Sequence, residues 1–402
     1  MLPPNGFVLR DDDPENQSLG SNVSATDLKD WPHLLKAFDE GVATGLHRGL
    51  QIYISQHGQP LLEAALGEAE PGLPLSSEHR MLWLSSGKPL LVLIFARLWE
   101  RGLVRIDEPI CHWIEEFGTH GKETITFRHV LTHTGGFRVL DLGWETKSWQ
   151  DVIELICRTS LEANWVVGVT AGYHTISSWF ILAEALSRAT GLSVRDLFDQ
   201  ELRYPLGLPE LSIGLSEEWY IENQSSVPPM YARIKGELQV LDWHQPPRAI
   251  CISPGSNTRG RARDLGAVYE MILKEGEAAD GSRYLQPTTI AALTARHRVG
   301  LFDLTLQHIV DFGLGFIINS KAYGPETVPY SYGLWTSPRT FGHGGSQSSI
   351  GFCDPESGIV VTWATNGMPG EGWHQRRNRA LQHAIGLDLF ERFPQLNTGA
   401  SI

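Results

Sequence analysis

Three short segments of this chain carry side chains able to do chemistry together. The first is Ser85-Ser86-Gly87-Lys88. A serine hydroxyl is a weak nucleophile at neutral pH and needs a base beside it. Residues three apart on a helix share a face, so Lys88 can reach the Ser85 oxygen. The residues that follow are apolar, and burial disfavours an ammonium, which leaves a neutral amine able to take the serine proton. Ser85 is the only serine in the chain with lysine three positions on. The plainer alternative is a helix-capping serine with a lysine whose stem lies along the surface.

The second segment is Gly172-Tyr173-His174-Thr175. A tyrosine at a loop-to-helix junction can present its hydroxyl to a cleft, and a neighbouring ammonium eases loss of its proton. The alternative is a ring packed under the helix. The third is Gly342-His343-Gly344-Gly345-Ser346. Glycines allow close approach of backbone to a ligand, and free N–H groups at a strand edge can hold a developing oxyanion. His343 can hold a hydrogen-bond chain or help move a proton. The alternative there is a glycine-rich turn with an exposed histidine.

The elements that would position these groups follow from periodicity. Residues 50–55 and 60–66 read as two strands around His57-Gly58. A first helix is expected near Trp31 to Phe38. The stretch from Ser85 to Gly102 is apolar all round its axis, which marks a buried helix, with Pro89 in its first turn and Gly102 as its stop. Further helices are expected over 176–190, ended by Gly191, and over 263–274. Residues 349–353 and 359–365 read as strands joined by Asp354-Pro-Glu-Ser-Gly358, and a last helix spans about 373–385. The order predicts an α/β (α+β) protein: a sheet built from both chain ends, flanked by helices, with a mostly helical domain inserted. The expected division is a loose polar arm over 1–25, a discontinuous sheet domain over 26–80 and 250–402, and a helical domain over 81–249.

Composition narrows the function. The 402 residues are 42% apolar and 20% charged, ordinary for a globular protein, and the net charge of −13 disfavours nucleic acid. No apolar run reaches membrane-spanning length, and the opening MLPPNGFVLRDDDPENQ lacks a basic start followed by an apolar core, so a cytoplasmic protein is expected. Cys111, Cys157, Cys251 and Cys353 are widely spaced and read as buried free thiols. No nucleotide-binding glycine motif appears. His129 and His133 have a zinc-helix spacing, but Val130 stands where H-E-x-x-H needs Glu, so neither metal nor other cofactor is expected. Gly344-Gly-Ser346-Gln-Ser348 lacks the final glycine of a nucleophile elbow. Asn22-Val-Ser24 and Asn223-Gln-Ser225 match a glycosylation pattern common by chance. No feature sets an oligomeric state.

Taken together and in order, the three segments resemble the serine β-lactamase and penicillin-binding protein superfamily, in its class C-like branch with family VIII carboxylesterases, D-amino-acid peptidases and acyltransferases. Its pattern is S-x-x-K, then Y-x-N, then K-T-G or H-x-G, here Ser85–Lys88, Tyr173–Thr175 and His343–Gly345. Flanking matches are Gly102-Leu-Val-Arg-Ile-Asp-Glu-Pro109, Ile125-Thr-Phe-Arg-His-Val-Leu-Thr-His-Thr-Gly-Gly136, Ser253-Pro-Gly255, Ala262-Arg-Asp-Leu265, and Phe341-Gly-His-Gly-Gly345 with Gly351-Phe-Cys-Asp-Pro355. The likeness runs over about residues 30 to 390.

The resemblance implies a β-lactamase-like fold and an acyl-enzyme on Ser85, with Lys88 and Tyr173 sharing proton traffic and His343 beside them. It implies an oxyanion hole from the N–H groups of Ser85 and Ser346, with Gly344, Gly345 and Thr175 lining the substrate. Thr175 stands for the Asn, and His343 and Gly344 for the Lys and Thr that hold a carboxylate in β-lactamases. Those changes favour neutral esters or amides and predict slow or absent β-lactam turnover. The expected partner is a small ester or amide, with an acyl acceptor if transfer replaces hydrolysis. A non-catalytic binding protein that keeps the fold is the remaining alternative. Thirteen tryptophans suggest an aromatic-lined cleft, with Trp83 and Trp335 nearest the motifs in sequence.

Overall fold

Segments from opposite ends of the chain meet at the centre of one antiparallel sheet. The computed structural model describes residues 28–324 and 332–396; the arm read over 1–25, and Asn22 with it, lies outside the described residues. β1 (Gly49–Gln56) and β2 (Gln59–Glu70) form the expected hairpin. His57 and Gly58 both take positive φ, 48° and 76°, as a two-residue turn matched to strand twist requires. The other strands are β3 (Leu73–Pro74), β4 (Ile317–Ile318), β5 (Phe341–Gly345), β6 (Ser349–Asp354) and β7 (Ile359–Thr365). Their order is β4-β5-β6-β7-β1-β2-β3. Leu50 sits opposite Thr365 and Gln56 opposite Ile359, which places the two hairpins side by side.

The principal helices are α1 (Pro32–Ala43), α2 (Lys88–Glu100), α3 (Trp149–Arg158), α4 (Ser177–Thr190), α5 (Ala262–Leu273) and α6 (Glu371–Arg392). Every residue of β7 is buried, because helices cover both sheet faces. On one face α1 and α6 close a core of Trp31, Leu34, Ile52, Trp363 and Leu389. On the other, α5 joins β7 to a larger core that runs on without a break through Val92 and Phe95 of α2 and Ile181 of α4.

Several details depart from the sequence reading. α6 continues past 385 to Arg392, because Leu389 and Phe390 pack on the sheet and Asp388 accepts the N–H groups of His33 and Leu34 (3.1 and 2.8 Å) at the start of α1. The stretch 137–165 holds α3, announced by a capping box that the reading missed: Ser148 and Asp151 cap each other's backbone. The span 81–249, expected to be mostly helical, also carries short strands. Met81–Leu82 and Ser212–Ile213 both pair with Thr258–Gly260, and Met230–Ile234 forms a hairpin with Glu237–Leu241. All four cysteines are free, but only Cys157 and Cys353 are buried; Cys111 and Cys251 are partly exposed. Among the described residues no helix is long and apolar enough to cross a membrane.

Candidate active site

Ser85 lies in a short 3-10 turn, Leu84–Gly87, that runs into α2. Leu84, just before it, has φ of +50°, a conformation costing a side-chain-bearing residue roughly 1–3 kcal/mol. Gly87 lets this turn touch the Thr258 strand: a Cβ there would come 2.4 Å from that of Thr258. Ser85 is only 8% exposed, so a substrate reaches it through a cavity and not from open surface.

Lys88 is fully buried, and its Nζ meets three atoms: Ser85 Oγ at 2.8 Å, the Thr175 carbonyl at 2.8 Å and the Gly255 carbonyl at 2.5 Å. Carbonyl oxygens only accept, so they take two N–H bonds. In the neutral amine the remaining position is a lone pair, and it falls to Ser85 Oγ. Burial pushes the Lys88 pKa well below its ordinary value, which favours this neutral form. Trp179 closes the other side, with Nζ 5.4 Å from its ring centroid.

The structure brings Tyr173, Thr175, His343, Gly344, Gly345 and Ser346 to the same cavity as Ser85. Tyr173 is held by its backbone, whose N–H donates to Asp303 Oδ1 at 3.0 Å, and by its ring, 4.6 Å from that of His133. Asp303 in turn accepts the N–H groups of Thr305 and Leu306 and pairs with Arg298 at 3.0 Å, both side chains being buried. The Tyr173 hydroxyl makes no hydrogen bond of regular geometry among the described residues, yet Ser85 lies near enough to favour its ionised form. Burial outweighs that and raises the phenol pKa. The expectation of an ammonium easing this proton is therefore corrected: beside a neutral amine, Tyr173 stays a phenol.

His343 is not an exposed turn residue. It sits buried in β5, its ring 5.8 Å from that of Tyr173. Its Nδ1 lies 2.8 Å from the Gly344 carbonyl, so Nδ1 carries the proton and Nε2 is a lone-pair acceptor. That Nε2 is buried without a hydrogen-bond partner among the described residues. Burial pushes its pKa down to about 3. His343 thus accepts a hydrogen bond and does not act as a cation at neutral pH. β5 is pinned against the Ser85 turn: Ser86 Oγ donates to the His343 carbonyl at 3.1 Å, and Ser349 Oγ donates to the Trp83 carbonyl at 2.6 Å. Gly345 has no room for a side chain, since a Cβ would meet Ser349 Oγ and the Trp83 carbonyl at 2.2 Å.

Two cavities meet at Ser85, Thr175 and Ser346. The larger, about 330 Å³, adds Tyr173 and His343, with Gln347, Glu371 and His374 among its walls. The smaller, about 220 Å³, is walled by Leu84, Leu142, Trp144, Ile176, Trp243 and Met368. Arg248 also lines it, stacked over Trp243 and paired with Glu145 at 3.0 Å. The tryptophans named from sequence are not the ones at the cleft. Trp83 is entirely buried in the large core, and Trp335 packs between Phe352 and Phe390 under the sheet. His129 caps a short helix, Phe127–Leu131, and His133 lies beyond its end at φ +57°, so the two do not share a helix face. The supports that sequence reasoning missed are His133, Arg298 and Asp303. His133 stands within a quoted motif; the other two carry no local signal.

A family model described as Beta-lactamase matches residues 34–385. Over 354 residues the chain is 26% identical to Esterase/beta-lactamase LipL of Mycobacterium tuberculosis, covering 79% of this chain and 76% of that protein. Two solved structures each superpose with a TM-score of 0.71. One is a family VIII carboxylesterase, 23% identical, covering 90% of this chain and 98% of that one. The other is EstCE1, a hydrolase with promiscuous acyltransferase activity, 18% identical, covering 88% and 97%. At those identities the structural likeness speaks for the fold.

Proposed function

The chain belongs to the beta-lactamase family, and on that premise we propose that it is a serine hydrolase cleaving carboxylic esters, and amides of similar shape, through an acyl-enzyme on Ser85. The observation that carries this reading is the buried Lys88, two of whose N–H bonds are fixed by carbonyls while Nζ meets Ser85 Oγ at 2.8 Å. Ser85 Oγ attacks the carbonyl carbon as its proton passes to Nζ. The N–H groups of Ser85 and Ser346 receive the oxyanion, where loss of one donor typically costs ~2.7–4 kcal/mol in the barrier. The proton returns through the Tyr173 hydroxyl to the departing alkoxide, and water repeats the cycle on the acyl-enzyme. Intact mass after exposure to activated esters tests this. The native chain gains the acyl mass and Ser85→Ala does not; a native chain that never gains mass overturns the reading.

The two cavities separate the ends of the substrate. A leaving group must take up a proton, and Tyr173 and His343 line only the larger cavity. The acyl chain exchanges no proton and belongs in the smaller one, where Leu84, Leu142, Trp144, Trp243 and Met368 offer apolar surface beside the Arg248–Glu145 pair. Each buried methylene contributes about 0.8 kcal/mol, roughly fourfold in rate. With p-nitrophenyl esters, kcat/KM is expected to climb with acyl length and then collapse once 220 Å³ is filled. Trp243→Ala moves the optimum to longer chains; an unchanged profile contradicts the assignment.

Neither cavity offers an unpaired cation among the described residues, since the larger has no Lys or Arg in its walls and Arg248 is paired with Glu145. A β-lactam brings a carboxylate that then goes unmatched. Nitrocefin turnover is expected to run at least 100-fold below that of a good ester, roughly what one lost charged contact of ~3 kcal/mol amounts to.

Acyl transfer is the second reading, favoured by one observation: His343 Nε2 is a buried acceptor in the wall of the larger cavity. A hydroxyl on an acyl acceptor can donate to it. Product analysis with an added alcohol decides, because transfer requires new ester to exceed free acid.

A further inference from the structure

The strongest unexplained feature near the site is a buried guanidinium without a carboxylate. Arg377, in the second turn of α6, is 2% exposed and forms no ion pair with any described residue. A buried charge is ordinarily paired, because desolvating it is expensive. Arg377 instead donates to three backbone carbonyls: Nη1 to Leu46 at 2.8 Å and Gly367 at 3.1 Å, and Nη2 to Gln347 at 2.5 Å. Burial pushes its pKa down to about 9, which still leaves it charged at neutral pH.

The Gln347 contact matters because of what surrounds it. Gln347 directly follows Ser346 and has φ of +52°, a left-handed conformation uncommon for a residue with a side chain. A second bond holds it, the N–H of Gly370 donating to its Oε1 at 2.7 Å. Both proposed oxyanion donors therefore adjoin a left-handed residue other than glycine: Leu84 precedes Ser85 and Gln347 follows Ser346. Such backbone strain persists only where neighbouring structure enforces it. At Leu84 the enforcement is apolar packing against Leu82 and Met230. At Gln347 it is Arg377 and Gly370.

Arg377 also fixes a cavity group. Its Nη2 lies 3.3 Å from His374 Nδ1, and a guanidinium can only donate, so that ring nitrogen is unprotonated and the proton of the neutral ring sits on Nε2. His374 lines the larger cavity with His343, whose tautomer is the opposite one.

We infer that Arg377 is a positioning residue for the oxyanion hole: by holding Gln347 left-handed it anchors the chain immediately after Ser346 and aims the Ser346 N–H at the acyl carbonyl. The inference rests on the reading of Ser85 and Ser346 given above.

The experiment is steady-state hydrolysis of p-nitrophenyl acetate by the full chain, with Tm recorded for each variant. Arg377→Lys keeps the charge but loses the fork that spans three carbonyls. It is expected to lower kcat at least tenfold with KM within twofold. Arg377→Met is expected to lower kcat by about 100-fold. Gln347→Gly added to Arg377→Met should recover at least tenfold, because glycine holds φ of +52° without support. A purely structural role predicts no such recovery. The inference is overturned if Arg377→Lys keeps kcat within threefold, if it fails to fold, or if kcat falls only in step with the folded fraction. It is also overturned if the glycine variant, on a folded Arg377→Met background, recovers nothing. Native protein that takes no acyl mass at Ser85 would fault the reading of the site; acylated native protein with indifferent variants would fault Arg377 alone.

Discussion

Lys88→Met is expected to lower kcat/KM for an activated ester by roughly four powers of ten or more, with no acyl mass accumulating on Ser85. Among the described residues Lys88 Nζ is the nitrogen that meets Ser85 Oγ, and burial favours its unprotonated form, the one able to act as base. Lys88→Arg is expected to be equally inactive. A guanidinium restores charge and donors but does not give up its proton, so an active arginine variant would sink the assignment of Lys88 as base. Folding should survive in the methionine variant: removing a buried amine relieves its desolvation, against which the Thr175 and Gly255 carbonyls each lose a donor at about 1–3 kcal/mol. The pH profile of the native enzyme follows the same logic. Activity requires the neutral amine, and its pKa is lowered, so the acid limb lies well below the ~10.4 of free lysine. Tyr173 is needed protonated, and its pKa is raised, so the alkaline limb lies above the usual ~10. His343, down at about 3, adds no step near pH 6 to 7. An acid limb that stays near the ~10.4 of free lysine would contradict the buried neutral amine as base.

Stability is expected to fall steeply as pH drops from about 6.5 towards 4. Five buried histidines are held neutral in the folded state: His47, His343 and His374 with pKa pushed down to about 3, His174 to about 4, and His133 well below its ordinary value, burial being the largest cause for each. In the unfolded chain each titrates near the ordinary value of about 6.5. Between those values the unfolded state binds more protons than the folded one, so unfolding takes up protons and stability decreases with falling pH. The contribution is fully present above about 6.5. Each group is worth up to ~1.4 kcal/mol per pH unit within the window, an upper bound of about 7 kcal/mol per unit for five. Urea unfolding at pH 7, 6 and 5 reads this slope directly. His47→Leu, away from the site, should make it shallower; a native protein equally stable at pH 7 and 5 would show these imidazoles to be accessible to protons when folded.

Much of the fold was legible because it depends on local pattern. The turn at His57-Gly58, the stop at Gly191 and the strand pair about Asp354 to Gly358 stand within a residue of where periodicity and turn chemistry put them, while β2 runs on to Glu70 and α2 begins at Lys88, three residues after Ser85. α3 was legible too, through Ser148 and Asp151, and was overlooked. The far end of α6 was not, because what extends it is Asp388 meeting the start of α1 across the fold.

At the site the same line divides what each level determined. The sequence by itself specified the reactive side chains and their order, and, through the helical repeat, that Lys88 reaches Ser85. Only the tertiary structure decided their protonation states and orientation. A pKa is set by burial and by partners remote in the chain, such as the Gly255 carbonyl on Lys88. Orientation is set by groups with no motif of their own: Asp303 beneath Tyr173, Arg377 behind Gln347, and Trp144 and Trp243 around the smaller cavity in place of the tryptophans nearest in sequence. Residue type and spacing fix what a side chain can do, whereas solvation and long-range packing, created only when distant segments meet, fix which of those things it does.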